Sequence, residues 1–231
     1  MKILCVIPAR GGSKGIKRKN LRLLGKKPLI SYTIESCISS KLFNDVIVSS
    51  EDSEIIKISK KFGAKVPFSR PKYLAKDNSS SDDVLLHAIL EMQKLGNEYD
   101  VVVLRDCTVP FIDKNDMKEM LEILKESQCD AVFGAIKAHP NPYFGMMEYD
   151  KNGFLKLSKK TIKKISRRQE APIVFSVDGM FALRIKNFQK TKKINSGKIL
   201  PFELSREHAH MIDFEFDFTV AELLVKNKKI K

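Results

Sequence analysis

The chain has 231 residues, of which 43% are hydrophobic and 30% charged, and its formal net charge is +14. This size and hydrophobic content suit one core, so we expect residues 1–231 to form a single domain. No apolar run reaches transmembrane length and no signal peptide opens the chain, which excludes a membrane partner and favours a cytoplasmic protein. The four cysteines are scattered without metal-ligand spacing, so we expect neither a zinc site nor a disulfide framework.

The net positive charge can be interpreted in two ways. The lysines can simply be spread over solvated faces, or the charge can serve to bind a polyanionic partner. The charges run from Lys2 to Lys231 and are dense only at 14–27 and 156–168. The sequence has no Trp and shows no helix-turn-helix, RRM, KH or zinc-finger pattern. We therefore expect no nucleic-acid partner, although it remains the second hypothesis, and the dense regions fit a small anionic substrate better.

The first apolar run, at 3–7, breaks into a glycine-rich basic loop. Residues 7–20 read Ile-Pro-Ala-Arg-Gly-Gly-Ser-Lys-Gly-Ile-Lys-Arg-Lys-Asn. Glycines let the backbone approach phosphates, while backbone N–H groups and cations neutralise a polyanion. The glycine spacing is neither that of a P-loop nor that of the dinucleotide fingerprint. The pattern predicts a triphosphate site whose candidate residues are Ala9, Arg10, Gly11, Gly12, Ser13, Lys14, Lys19 and Asn20.

Apolar runs then alternate with helical patterns. The predicted strands lie near 3–7, 45–49, 101–105, 131–136 and 180–184, and the predicted helices near 28–40, 53–62, 81–95, 115–127 and 217–227. The helix at 81–95 has the clearest apolar stripe, with Ser81 or Asp82 as its N-cap. This alternation predicts an α/β fold in which a mostly parallel sheet carries helices on both faces. Such sheets bind ligands at the carboxyl ends of their strands.

The segment 137–176 interrupts the alternation. It contains two prolines, a turn at 150–153 and the basic run 156–168. The Asn-Gly pair of the turn, flanked by apolar residues, predicts a β-hairpin. We expect an extension on the surface of the single domain.

One carboxylate follows a predicted strand directly. Asp106 comes after the run 101–105, at the sheet edge where the loop 9–20 is also expected. Mg²⁺ needs hard oxygen ligands and usually takes only one or two of them from protein. Asp106 is therefore a candidate metal ligand beside the phosphate loop.

Four blocks of the sequence, at 7–20, 70–81, 105–112 and 210–218, resemble in order the motifs of the acylneuraminate cytidylyltransferase family. This family comprises CMP-sialic acid and other CMP-nonulosonate synthetases and is related to CMP-Kdo synthetase. The shorter stretch 168–172 resembles a further family motif. The resemblance implies a Rossmann-like nucleotidyltransferase fold in which 137–176 is a dimerisation extension, and hence a homodimer.

The resemblance also implies roles for individual residues. The implied catalytic residues are Arg10, Lys14, Lys19, Asp106 and Asp213. The implied CTP-binding residues are the eight candidates named above in the loop 9–20, together with Arg70, Asn78, Ser79 and Ser80. The implied sugar-binding residues are Thr108, Tyr143, Arg168, Gln169 and Asp178. Asp106 and Asp213 would hold one or two Mg²⁺ ions, for which Mn²⁺ can substitute.

The implied reaction joins CTP to an acidic 2-keto sugar such as sialic, legionaminic or pseudaminic acid and releases pyrophosphate. The sequence departs from the family pattern at several positions, where Ile112 and Ser176 replace arginines, Met211 an aspartate, Val109 a serine and Asp178 an asparagine. The departures leave open a different sugar, a Kdo-like acid or a phosphorylated alcohol as acceptor. They also leave open a different base or a catalytically altered nucleotide-binding homologue.

Overall fold

The computed structural model describes residues 1–13, 15–161 and 165–227. The strands within these ranges are β1 (Ile3–Pro8), β2 (Leu23–Leu24), β3 (Lys27–Pro28), β4 (Asp45–Ser49), β5 (Val101–Arg105), β6 (Ala131–Lys137), β7 (Met147–Tyr149), β8 (Leu155–Leu157), β9 (Phe175–Arg184) and β10 (Ile199–Glu203). The helices are α1 (Leu29–Ser40), α2 (Ser53–Lys61), α3 (Ser81–Lys94), α4 (Lys114–Glu126), α5 (Ile185–Thr191) and α6 (Glu215–Lys226).

Six strands form the central sheet in the order β10-β6-β9-β5-β1-β4. Strand β9 is antiparallel to its neighbours β5 and β6, and the remaining pairs are parallel. The predicted α/β fold with a mostly parallel sheet is therefore confirmed. After β1 the chain forms β4 on one side of it and then crosses to β5 on the other. This reversal of strand order places a crevice at the carboxyl ends of β1 and β5.

Apolar side chains leave the sheet on both faces, as the alternating pattern predicts. On one face Cys5 and Val103 belong to a core shared with α1 and α4. On the other face Leu4 and Val102 share a core with α3 and α5. A smaller cluster packs α6 against the loop that follows β1. Because burial of apolar surface dominates folding, these contacts fix the loops at the carboxyl edge of the sheet.

The predicted strands and helices are present, with small shifts at their ends. The N-cap of α3 is Ser80 rather than Ser81 or Asp82, because the Ser80 hydroxyl accepts the backbone N–H of Asp83 at 3.1 Å. Strand β9 begins at Phe175, five residues before the predicted start. The prediction covered only the continuous apolar run at its end, whereas in the first half polar residues alternate with Phe175 and Val177. Helix α5 and the edge strand β10 were not predicted.

The segment between β6 and β9 contains the predicted hairpin, formed by β7 and β8. The Asp150 carboxylate accepts backbone N–H groups of the turn from Asn152 at 2.8 Å and Phe154 at 3.0 Å. Both hairpin strands expose apolar side chains, including Tyr149 and Leu155. None of the helices in the described chain has the length and apolar character that a membrane crossing requires.

Gly179 lies inside β9 with φ +77°, a backbone conformation that favours glycine. A Cβ atom there would lie 2.8 Å from Cβ of Val109 and 2.9 Å from Cδ1 of Ile112. Gly179→Ala is therefore expected to lower the free energy of unfolding by about 2–4 kcal/mol, since backbone strain and overpacking add. Urea denaturation would measure the loss.

Gly96→Ala is the matched control, because Gly96 has φ +80° but no atom within 4 Å of the added Cβ. Its expected loss is about 1 kcal/mol, from backbone strain alone. Equal losses in the two variants would contradict the close packing described at Gly179.

Candidate active site

A cleft of about 330 Å³ opens at the carboxyl ends of β1 and β5. Its walls come from the loop after β1, the segment before α3, the turn after β5 and the segment before α6. The predicted site residues that line it are Arg10, Gly12, Ser13, Lys19, Asn20, Arg70, Ser79, Ser80, Asp106, Thr108 and Asp213. Residues far apart in sequence are thus brought together where the strand order reverses.

The loop after β1 is held in place by its backbone. The Ala9 N–H donates to the Ser49 carbonyl at 3.0 Å, and the Gly11 N–H donates to Oε1 of Glu51 at 2.7 Å. The Asn20 amide donates to the Arg10 carbonyl at 3.2 Å. Ala9 and Gly11 therefore support the loop without lining the cleft. Lys14 lies outside the described residues.

Among the described residues of this loop, Arg10 and Lys19 face the cleft, and each is ion-paired. Nη1 of Arg10 lies 2.8 Å from Oδ1 of Asp77, across the mouth of the cleft. Nζ of Lys19 lies 2.9 Å from Oδ1 of Asp213, and it also donates to a backbone carbonyl of the same segment. The loop therefore has acidic partners in place, which relieves the repulsion among its like charges.

A third cation of the loop, Arg18, turns away toward α2. Its guanidinium pairs with Asp52 at 2.5 Å and with Glu54 at 2.6 Å. The hydrogen bond from Arg18 holds the pKa of Asp52 below its usual value, although partial burial opposes this shift. Asp52 also caps α2 by accepting two backbone N–H groups. Arg18 thus anchors the loop and does not line the cleft.

The opposite wall combines a buried arginine with a helix N-terminus. Arg70 is 5% exposed, its burial lowers its pKa, and one guanidinium nitrogen donates to the Ser49 carbonyl. Its Nε atom has no hydrogen-bond partner among the described residues. Ser79 and Ser80 line the cleft where α3 begins, so the positive end of this helix faces the space.

Asp106 and Asp213 line the cleft, and the carboxylate of Asp178 lies close enough to interact with both. Oδ1 of Asp106 accepts the Thr108 N–H at 3.0 Å, and Asp213 contacts Lys19 as described above. Asp178 lies with Asp106 in the wall of an adjoining cavity of about 380 Å³. Burial, together with the negative charges of Asp106 and Asp213, raises the pKa of Asp178 to about 6.

Several predicted residues lie away from the cleft. Asn78 lines an outer groove beside Tyr73 and His87. Tyr143, Arg168 and Gln169 lie on the segment between β6 and β9, outside the walls of the cleft and of the adjoining cavity.

A protein-family model described as cytidylyltransferase matches residues 4–221. The chain belongs to the cytidylyltransferase family. It is 44% identical to a pseudaminic acid cytidylyltransferase of Campylobacter jejuni over 135 residues, which is 58% of each chain. It is 30% identical to a CMP-N,N'-diacetyllegionaminic acid synthase of the same species over 230 residues, covering 99% of this chain and 97% of that protein. The chain is therefore a nucleotidyltransferase.

A solved structure gives the same fold. CMP:2-keto-3-deoxy-manno-octonic acid synthetase, in complex with CTP, superposes with a TM-score of 0.72 at 18% identity. The superposition covers 99% of this chain and 100% of the other. The Rossmann-like nucleotidyltransferase fold predicted from the motifs is thereby confirmed.

The positions where this cytidylyltransferase departs from the family motifs have different surroundings. Ile112 is 1% exposed and packs in the core that includes α1. Met211 is 40% exposed and lies two residues before Asp213, in the segment that precedes α6. Ser176 is exposed on the first half of β9. The residue at 112 thus adds to the core and not to the wall of the cleft.

The donor set at the cleft fits a magnesium ion that is completed by its substrate. Asp106 and Asp213 offer carboxylate oxygens, the hard ligands that Mg²⁺ prefers. They do not form a closed cage, because in the described chain only Asp113, Asp116 and His208 bring three ligand atoms within 4.8 Å of one another. Phosphate oxygens and water would therefore have to supply the other ligands, as is usual for Mg²⁺.

The acidic partners of the loop were not predicted. Glu51 and Asp52 follow the end of β4 after one intervening residue, much as Asp106 follows β5, and this position near a strand end was an available signal. Asp77 lies within the second motif but has no pattern of its own. Its pairing with Arg10 depends on the tertiary fold.

Asp178→Asn is expected to stabilise the metal-free protein near neutral pH. Because folding raises the pKa of Asp178 from 3.8 to about 6, the folded state loses stability as the pH rises through this range. The full shift corresponds to about 3 kcal/mol, which partial exposure reduces to about 1–2 kcal/mol. Urea unfolding in EDTA at pH 4 and pH 8 would measure the effect.

The variant should gain stability at pH 8 and show little gain at pH 4. The exposed Glu119→Gln substitution on α4 serves as the control for removing a negative charge. A gain of equal size at both pH values would contradict the environment described for Asp178.

Proposed function

We propose that this enzyme transfers CMP from CTP to an acidic 2-keto sugar of the nonulosonic class and releases pyrophosphate. The observation that carries the proposal is the convergence of Arg10 and Lys19 with Asp106 and Asp213 on one cleft. Cations on one side and hard oxygen ligands on the other suit a magnesium triphosphate. The named activities of the related cytidylyltransferases support the same reaction.

CTP fits the cleft in one orientation. Its triphosphate would lie along the loop after β1, where Gly12 leaves open space and Arg10 can grip two phosphate oxygens. Its base would lie toward Arg70, which lines the cleft and whose guanidinium carries N–H donors suited to the O2 and N3 acceptors of cytosine. Leu74 and Val84 provide apolar surface on the same wall.

The acceptor sugar fits the adjoining cavity. Asp106 and Ser81 line both this cavity and the cleft, so the two spaces meet there. The attacking hydroxyl and the α-phosphorus would therefore come together beside Asp106. Thr108 lines the cleft and not the adjoining cavity, so it would meet the sugar only at this junction.

Catalysis would come from positioning and electrostatics. The sugar hydroxyl attacks the α-phosphorus, its proton passes to solvent, and negative charge collects on the departing pyrophosphate. Arg10 and Lys19 would move from Asp77 and Asp213 to the phosphate oxygens, which frees the Asp213 carboxylate. Asp106 and Asp213 would hold a Mg²⁺ ion, or Mn²⁺ in its place, which would supply positive charge to offset that of the phosphate oxygens.

A second acceptor class is favoured by the adjoining cavity itself. Its lining includes three carboxylates, those of Asp82, Asp106 and Asp178. Near its wall, Ser176 stands where the family pattern has an arginine. Negative walls repel an acidic sugar unless a cation intervenes. A neutral sugar or phosphorylated alcohol, or a sugar bearing an ammonium group, is therefore the alternative acceptor.

We further propose that the enzyme acts in the cytoplasm, where CTP is available, and that two copies of the chain form a homodimer. The hairpin of β7 and β8 exposes Tyr149 by 76% and Phe154 by 71%, and Ile173 nearby is 69% exposed. Apolar side chains grouped in this way favour a protein partner, and a second copy would cover them. Tyr143, Arg168 and Gln169 lie on the same segment, from which they could reach the partner's cavity.

Sedimentation equilibrium at micromolar concentration is expected to give a dimer, and Phe154→Lys is expected to shift it toward monomer. The control is Tyr73→Lys, since Tyr73 is 64% exposed but far along the chain from the hairpin. A wild-type monomer at this concentration would contradict the proposed assembly.

Pyrophosphate release with Mg²⁺ tests the reaction. CTP, UTP, ATP and GTP would each be paired with nonulosonic acids, Kdo, amino sugars and simple sugar phosphates. We expect release only with CTP and one nonulosonic acid. Release with a neutral or amino sugar would establish the alternative acceptor, and CTP binding without release across the panel would contradict the proposed reaction.

Arg10→Ala is expected to reduce turnover at least about 100-fold, because a cation on the leaving group is lost. Arg22→Ala is the matched control, since Arg22 pairs with Glu215 and does not line the cleft. Equal activity in the two variants would remove Arg10 from the phosphate site.

A further inference from the structure

Arg105, the last residue of β5, is a buried cation that the proposed reaction does not use. Its exposed fraction is 0%. Within the described chain its Nη1 donates to backbone carbonyls and the guanidinium also interacts with the Cys37 thiol, whereas Nε and Nη2 have no close hydrogen-bond partner. Burying a cation without a strong counter-charge is costly. Its presence at this position therefore requires a specific benefit.

One nitrogen of Arg105 joins the two segments that carry the carboxylates of the site. Nη1 donates to the carbonyls of Gly179 at 2.8 Å, Val109 at 3.1 Å and Asp106 at 3.3 Å. Gly179 directly follows Asp178. The Asp106 N–H donates to the same Gly179 carbonyl at 2.9 Å. The backbones of the turn after β5 and of β9 are thus fixed to each other at a single point.

The surroundings of the guanidinium offer it no better partner. Burial raises the pKa of the Cys37 thiol, but the hydrogen bond with Cys5 and the charge of Arg105 outweigh burial and lower it. The positive charge of Arg105 also acts on Cys5 and Cys107. Thiols are weak acceptors, so the three backbone carbonyls are the strong anchors of this side chain.

We propose that Arg105 is a positioning residue that sets the spacing of Asp106 and Asp178 at the junction of the two cavities. This inference rests on the proposed function, since it takes the junction as the place where metal and acceptor meet. The groups behind a metal ligand commonly change metal affinity or activity 10- to 100-fold when they are removed. Arg105 acts through the backbone and touches neither substrate.

Arg184 provides a matched control at the other end of β9. Its guanidinium also donates to three carbonyls, those of Leu124 at 2.6 Å, Cys129 at 2.8 Å and Ser127 at 3.1 Å. It lies opposite Val101, at the amino end of β5, away from the cleft. Loss of Arg184 therefore removes a similar set of bonds without disturbing the carboxylates.

The experiment compares Arg105→Met, Arg105→Lys and Arg184→Met with the wild type. Electron paramagnetic resonance would measure the affinity for Mn²⁺ with and without CTP, and thermal unfolding would measure stability. We expect Arg105→Met to weaken Mn²⁺ binding about 10- to 100-fold. Arg184→Met should lower the unfolding temperature but leave Mn²⁺ affinity within about twofold of the wild type.

Arg105→Lys should be intermediate, because an ammonium keeps donors at the site but lacks the reach of the guanidinium fork. If Arg105→Met does not fold, Arg105→Lys decides, and an Mn²⁺ affinity equal to that of the wild type overturns the proposal. Equal weakening in Arg105→Met and Arg184→Met overturns it as well. Failure of the proposed function is seen separately, as a wild type that releases no pyrophosphate from CTP.

Discussion

The geometry of the site depends most on the ion pair between Lys19 and Asp213. Lys19 is 8% exposed, and its ammonium donates to the Ile212 carbonyl at 2.7 Å and to Asp213 at 2.9 Å. A buried cation needs such partners, so the loop after β1 takes its form only against the segment before α6. Gly15 allows this approach, because a Cβ atom there would collide with the Asp213 carbonyl. The two ends of the chain thus build one wall of the cleft together.

Ion pairs of the same kind offset the repulsion among the cations of this basic loop. Arg10 pairs with Asp77, Arg18 with Asp52 and Lys19 with Asp213, so these three cations have acidic partners from three other segments. In the proposed reaction a triphosphate would replace the partners of the cations that face the cleft, while Arg18 would keep its partner. The exchange of one anion for another conserves the ion pairing, and it frees carboxylates where a metal is needed.

Much of this fold follows from local patterns in the sequence, since apolar runs and helical stripes each reflect a few neighbouring residues. Asp106 was found because it directly follows a strand. The acidic partners of the loop could not be predicted from the sequence, because only the tertiary fold brings Asp77 to Arg10. Ile112 replaces a family arginine, so the sequence indicated that the site had lost a cation. The structure instead places this side chain in the core. Strand β10 was not predicted because Pro201 interrupts its apolar pattern. Its partner β6 lies more than 60 residues earlier, so no local signal indicates the pairing.

In the proposed reaction, CTP and its metal bind where the strand order reverses, by displacing acidic partners from the loop. A crystal structure with Mn²⁺ and a non-hydrolysable CTP analogue tests this most directly, because anomalous scattering locates the metal. We expect the metal at Asp106 and Asp213, and we expect Arg10 to contact the triphosphate and no longer Asp77. A nucleotide bound outside this cleft, or one bound while Arg10 still pairs with Asp77, would contradict it.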